Sequence, residues 1–220
     1  MKKIAFTLLL FSLYAGASAQ YKKASFFEKT GRTYGLGAKL YALGDGKGTP
    51  IGFYAAFGRD QDGKRLFTFW EIQYIPSYKF SLNTKDVYDA PITVQGKTRS
   101  HFIYDYNFGY HLLKSEGEAP KLQPYLTAGF NLVIFGGVKE ISNDNSDNKT
   151  IVAEKPFSVG IGGGAGCFYN ITPGFALKLE AGYTLQGNVN TDDQSNTDTY
   201  YMFTKHPYVS AGVRFRVITD

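Results

Sequence analysis

Three histidines, a single cysteine and two clusters of side-chain oxygens are the residues of this chain whose chemistry could go beyond packing. His101 and His111 fall ten residues apart in one alternating run, so as strand residues they share a face yet stand ~33 Å apart, too far to share a metal or a proton. His206 precedes Pro207, and no serine or carboxylate stands at a spacing that points to a relay. Cys167 falls on the outward face of its run, away from any base that could activate it. The stretches Asn143 to Asn148 and Asp192 to Asp198 are rich in oxygen ligands, but neither has the EF-hand order with its central glycine and terminal glutamate, and no HxxEH-like or CxxC-like spacing occurs. Gly160 to Gly166 contains a GxGxxA pattern that runs into a turn rather than a helix, so it fails the dinucleotide test. The expectation is therefore no catalytic residue, no metal and no cofactor.

The elements that carry these residues are strands. From 66 to 82 the even positions include Leu66, Trp70, Ile72, Tyr74, Tyr78, Phe80 and Leu82, while the odd ones include Glu71, Gln73, Ser77, Lys79 and Ser81. From 99 to 112 the even positions include Phe102, Tyr104, Tyr106, Phe108, Tyr110 and Leu112, against Arg99, His101, Asp105, Asn107 and His111. Period two over such lengths makes one dry face and one wet face. Ordinary soluble strands run about five or six residues. Longer strands with so dense an aromatic face predict contact with lipid, hence a closed membrane barrel.

The first residues fit export. Lys2 and Lys3, an apolar stretch from Ile4 to Tyr14, and Ala17-Ser18-Ala19 before Gln20 read as a signal peptide over 1–19, cut after Ala19. Without Lys2 and Lys3 the chain keeps 22 basic residues against 19 acidic ones, so the net charge falls from +5 to +3, and no basic cluster points to nucleic acid. With Cys167 alone, no internal disulfide framework can form.

Eight runs are expected, at 32–43, 51–58, 66–82, 98–113, 121–135, 156–169, 174–187 and 207–217. The connections after the second, fourth and sixth runs are compact, and those after the third, fifth and seventh are long and polar, the asymmetry of short periplasmic turns and longer outer loops. An even strand count puts both termini on the periplasmic side. Residues 20–31 form a periplasmic lead-in, and 32–220 form one eight-stranded antiparallel up-and-down barrel. The uncharged stretch Pro156 to Leu177 is read as two strands joined by a turn at Asn170 to Gly174, because its glycines argue against a helix.

This assignment sorts the side chains. Lipid-facing aromatics are Trp70, Tyr74, Tyr78, Phe80, Phe102, Tyr104, Tyr106, Phe108, Tyr110, Phe130, Phe175, Tyr183 and Phe215. The lumen of eight strands is only wide enough to be filled by side chains. Its expected charges are Lys39, Lys79, Arg99, Lys121, Lys178, Arg214 and Arg216 against Glu71, Asp105 and Glu180, paired because buried charges must be. Gly52, Ala56 and Gly58 face Gly160, Gly162, Gly164 and Gly166 across the ring. That sector is filled by Tyr41, Tyr54, Phe67, Phe69, Tyr125 and Tyr208 or eases tight curvature; the alternative is a small pocket or docking of the segment from Tyr21 to Phe27.

Three phrases carry a family resemblance: Pro124 to Phe130 (PYLTAGF), Gly174 to Tyr183 (GFALKLEAGY) and Pro207 to Phe215 (PYVSAGVRF). They resemble the outer-membrane β-barrel family of OmpA transmembrane domains and OmpX, in the form common in Bacteroidota. One departure is that Val217 to Asp220 follow the last aromatic, Phe215, where such barrels commonly end on an aromatic. The closing strand from His206 to Phe215 is also similar to that of outer-membrane proteins of conjugative transposons. The resemblance implies a non-enzymatic, monomeric outer-membrane barrel with a structural or surface-interaction role through its outer loops. Its partners would be outer-membrane lipid, the barrel-insertion machinery and an unidentified envelope or extracellular protein, with no nucleic acid. The alternatives are a narrow porin or small-ligand barrel and, behind it, a lipid-modifying barrel enzyme.

Overall fold

The computed structural model describes residues 31–44, 46–60, 65–85, 91–113, 120–134, 138–143, 150–151, 157–188, 203 and 205–218. The expected signal peptide, the lead-in up to residue 30 and the oxygen-rich runs 144–148 and 192–198 lie outside the described residues.

Eight long strands close into an antiparallel barrel: β1 (Gly31–Tyr41), β2 (Ile51–Asp60), β3 (Leu66–Ile75), β6 (His101–His111), β7 (Leu122–Ile134), β10 (Ser158–Thr172), β11 (Phe175–Asn188) and β12 (Lys205–Ile218). Each pairs with its neighbours around the ring, and β1 zips to β12 from Gly31↔Ile218 to Tyr41↔Tyr208, which removes the sheet edges. Gly31 and Ile218 share one end of the barrel, called here the terminal end; the other, from which the longest connections leave, is the loop end. The turn at Pro173 and Gly174 joins β10 to β11, so over its described residues, 157–177, the uncharged stretch is two strands, as its glycines predict.

A second sheet stands on the loop end, built by β4 (Lys79–Lys85), β5 (Pro91–Thr98), β8 (Val138–Asn143) and β9 (Thr150–Ile151) in that order. It interrupts the expected run 66–82. Pro76 follows β3, and Pro76, Ser77 and Tyr78 separate the two strands; a proline offers no ladder donor. Past that break the even residues change sides. Trp70, Ile72 and Tyr74 point out of the barrel, whereas Phe80 and Leu82 turn inward with Val94 and Val138 onto Tyr41, Leu43, Ile75 and Phe203. Tyr78 and Phe80 are thus corrected from lipid-facing to packed under the outer sheet, Tyr78 half-buried and Phe80 buried. The edge of β4 is tied to the β1–β2 connection by Ser81 N donating to Gly46 O at 3.2 Å. Gly46 needs its positive φ of 76°, and a Cβ there would strike Ser81.

The barrel exterior is apolar on every strand, as in Leu36, Phe53, Trp70, Tyr104, Leu126, Ile161, Leu179 and Val209, all exposed. Its outward charges sit at the ends: Arg32 and Arg59, opposite one another near the terminal end, and Lys205 where β12 begins. Exposed apolar surface encircling a whole molecule is far beyond what a soluble monomer shows.

Candidate functional site

The barrel interior holds the polar chemistry, arranged in three layers. Nearest the loop end, Phe203 from the β11–β12 connection lies between His101 and His206, at ring distances of 4.9 and 5.3 Å, with Tyr41 5.3 Å away. All four side chains are buried. Tyr78 packs beside this cluster, and burial pushes its phenol above the ordinary value. His101 and His206, read from sequence as unrelated, therefore meet across Phe203. Among the described residues they are packed by the rings of Phe203, Tyr41 and Tyr78.

The middle layer crosses the lumen. Lys39 Nζ lies 2.5 Å from Glu71 and 3.4 Å from Asp105, and Lys178 Nζ lies 3.4 Å from both Glu71 and Glu180. Glu180 also accepts hydrogen bonds from Tyr125 at 2.9 Å and Tyr208 at 2.8 Å. Tyr41 donates to Gln73, and Gln73 donates to Asp105. Lys39 sits over the Tyr208 ring at 4.6 Å, and Lys178 over Tyr54 and Phe69 at 5.1 Å each. Two ammonium groups thus meet three carboxylates on side chains from β1, β3, β6 and β11. Burial of these charges is tolerable because each has partners on several sides.

The third layer closes the terminal end. Arg214 Nη1 lies 3.3 Å from Asp60, whose carboxylate is 3.6 Å from His111 Nε2. Arg214 stacks over Phe168 at 3.7 Å, and His111 stacks on Phe67 at 4.3 Å. Arg216 packs against Gly31. His111 and Asp60 are an orienting pair of the kind a relay uses, but the histidine ring is covered by Phe67 and its side chain is 2% exposed.

Of the expected lumen charges, Lys39, Glu71, Asp105, Lys178, Glu180, Arg214 and Arg216 lie inside. Lys79 and Arg99 do not. Lys79 follows the side switch after Pro76 and is exposed on the outer sheet, and Arg99 precedes β6 in its connection to β5. Lys121, just before β7, lies outside at the terminal end over the Tyr169 ring at 5.4 Å. The outward aromatics Trp70, Tyr74, Phe102, Tyr104, Tyr106, Phe108, Tyr110, Phe130, Phe175, Tyr183 and Phe215 occupy the outer face.

The glycine sector holds aromatic and amide side chains. In the ring, β2 and β10 are diametrically opposed. A Cβ on Gly166 would enter the Tyr125 ring, one on Gly164 would lie 3.1 Å from the Tyr208 hydroxyl, and one on Gly160 would meet Asn131. Opposite, Gly52 lies under Ile75, Gly58 under Phe69, and Ala56 packs against the Phe67, Phe69, Tyr125 and Phe168 cluster. A cavity of about 30 Å³, room for a water, lies beside Tyr54, Phe69, Lys178 and Arg214.

Asp60, Gln73 and Phe203 were missed from sequence as site residues. Asp60 reads as the start of a turn, yet two residues beyond Gly58 it keeps the inward parity of β2, which is the signal that could have found it. Phe203 follows Tyr200 and Tyr201 in a loop sequence without period-two alternation, so nothing singles it out. Among the described residues no group of three His, Cys, Asp or Glu could hold a metal ion.

No family model matches the chain, and no curated protein matches it. Solved structures do. A major outer membrane protein from Thermus thermophilus is 14% identical with a TM-score of 0.51, over 86% of this chain and 99% of that one. OprG from Pseudomonas aeruginosa is 10% identical with a TM-score of 0.46, over 90% and 100%. Neisserial surface protein A is 17% identical with a TM-score of 0.45, over 86% and 96%. At these identities the likeness speaks to the fold alone, and of these three the Thermus protein carries it.

Proposed function

We propose that the chain is an integral barrel of the bacterial outer membrane, with a lumen closed by side chains and a structural or surface-interaction role carried by its loop end. The observation that supports it most is the inverted polarity of the barrel. Apolar side chains face out on every strand, while Lys39, Glu71, Asp105, Lys178 and Glu180 span the inside. Hydrocarbon favours the first arrangement and water does not. In this reading both termini are periplasmic, the outer sheet β4–β5–β8–β9 faces the exterior, and the protein is monomeric and non-enzymatic. Its partners are outer-membrane lipid, the insertion machinery and an envelope or extracellular protein.

Conductance across planar bilayers tests the closed lumen. The full chain should insert without a steady channel, because the ion pairs of Lys39, Glu71, Asp105, Lys178 and Glu180 cross the lumen and Tyr125 and Phe168 pack below them. A steady open channel would overturn the closed lumen in favour of the narrow porin. The finer assignments, to the OmpA- and OmpX-like barrels of Bacteroidota and to conjugative transposons, rest on the strand phrases at 124–130, 174–183 and 206–215. Conjugation genes flanking the coding sequence would support the second, and their absence would remove it.

A further inference from the structure

Where the outer sheet leaves the barrel, cations from several segments converge. Lys97 near the end of β5, Arg99 in the β5–β6 connection and Lys139 in β8 line a cleft of about 460 Å³ together with Ser77, Ser100 and Phe102. Phe102 is half-exposed on the outer face of β6 and is paired in register with Tyr74 and Ile134, so the apolar side of the cleft is the last row of the barrel's belt. The Tyr74 ring lies 5.2 Å from that of Phe102, and its hydroxyl is 3.3 Å from Ser100 Oγ. A molecule in this cleft touches apolar wall with one part and cations with another.

Two features of these cations work against the fold alone. Lys79 and Lys97 stand directly opposite each other in the β4–β5 register, both exposed, where like charges destabilise a sheet. The β5–β8 register also slips, pairing Lys97 with Glu140 and Thr98 with Val138, so that Lys139 is skipped in that pairing. Such bulges re-aim a side chain. The lining contains no carboxylate among the described residues; Glu140, beside it, lies 3.5 Å from Lys139. Among the described residues Lys97, Arg99 and Lys139 stand beside one carboxylate, Glu140, immediately above the aromatic rim.

We propose that this cleft binds the phosphate-bearing headgroup of a membrane lipid. Lys97 and Lys139 take the phosphate oxygens, and Arg99 adds its charge beside them. The acyl chains run down over Phe102 and Tyr74. The proposal rests on the membrane reading above and adds to it a site and a ligand class.

The test uses the full chain in phosphatidylcholine bilayers containing a minor fraction of phosphatidic acid, whose phosphomonoester is the probe. Lipid retained per chain is counted by native mass spectrometry after release into detergent. Phosphatidic acid should be retained over phosphatidylcholine, the K97Q/K139Q variant should lose that preference at least about tenfold, and excess inorganic phosphate should not displace the lipid. Unchanged retention by the variant overturns the site, and displacement by inorganic phosphate makes it a free-anion site instead. Both substituted lysines are exposed, so folding should survive. Trp70, the sole tryptophan and outward-facing, separates the two failures. If lipids brominated in their chains quench it while the headgroup preference is absent, only the cleft falls. If they do not quench it, the membrane reading falls and the cleft with it.

Discussion

The barrel wall and the sheet above it use the same alternating pattern with opposite polarity. In the wall, β3 and β6 put Trp70, Ile72, Tyr104 and Tyr106 outside and Glu71, Gln73, Ile103 and Asp105 inside. In the sheet, β4 and β5 put Lys79, Ser81, Gln95 and Lys97 outside and Phe80, Leu82 and Val94 inside. The difference teaches that a dry face says nothing about what keeps it dry. Hydrocarbon does so for the wall, in the membrane reading, and protein does so for the sheet. The exchange of sides happens over Pro76 to Tyr78 on one strand and at Arg99 and Ser100 on the next, and those segments place the boundary between the two surroundings.

The comparison breaks most severely if the wet inner face of the wall proves dispensable. Glu71 is 1% exposed and holds both Lys39 and Lys178, so Glu71→Ala leaves two buried ammonium groups short of a partner. The expected loss is about 3–5 kcal/mol in denaturant unfolding from lipid vesicles. A loss below about 1 kcal/mol, the level of an exposed pair, would mean that water already enters this layer and that the lumen is not closed.

Much of this arrangement was readable in the residues. Period two set the strands, the even count closed them, and parity placed Lys39, Glu71, Asp105, Lys178, Glu180 and Arg214 inside. Parity failed where its premise failed. Lys79, Tyr78 and Phe80 continue the alternation of β3 without a visible break except Pro76, and nothing in a dry face distinguishes lipid from a protein partner. Phe203 and the meeting of His101 with His206 depend on how a loop folds back, and a loop has no period to read. Gly160 to Gly166 signalled missing side chains, and Tyr125 and Tyr208, two of the expected fillers, occupy the space; nothing in the glycines points to Asn131, which joins them at Gly160.

The next test acts on the outer face. Tyr106 pairs in register with Trp70 and Phe130, and its ring lies 4.4 Å from that of Trp70, in the middle of the apolar belt. Tyr106→Arg should cost about 2–4 kcal/mol in vesicles, the penalty for a cation near mid-membrane depth. Asp105→Asn, one residue away, should act instead through Lys39 and Gln73, with an effect that depends on the presence of Lys39 in a double-mutant cycle. If Tyr106→Arg costs no more than about 0.5 kcal/mol, the level of an ordinary surface substitution, the outer face of the wall is not in hydrocarbon.

The smallest effect is expected in the sheet. Leu82 is 4% exposed within the cluster that joins the sheet to Tyr41, Ile75 and Phe203 at the barrel mouth. Leu82→Ala should cost about 2–3 kcal/mol, the lower part of the range for a buried leucine, because the neighbouring connections can settle into the space. The loss should stay local. Cleavage by added protease should rise between β3 and β6, while quenching of Trp70 by lipids brominated in their chains stays unchanged, since the wall below keeps its own pairing. A fall in Trp70 quenching would instead mean that the sheet's apolar face helps hold the barrel in the bilayer. The two regions would then be dried by the same hydrocarbon, and the exchange of sides after Pro76 would mark no boundary.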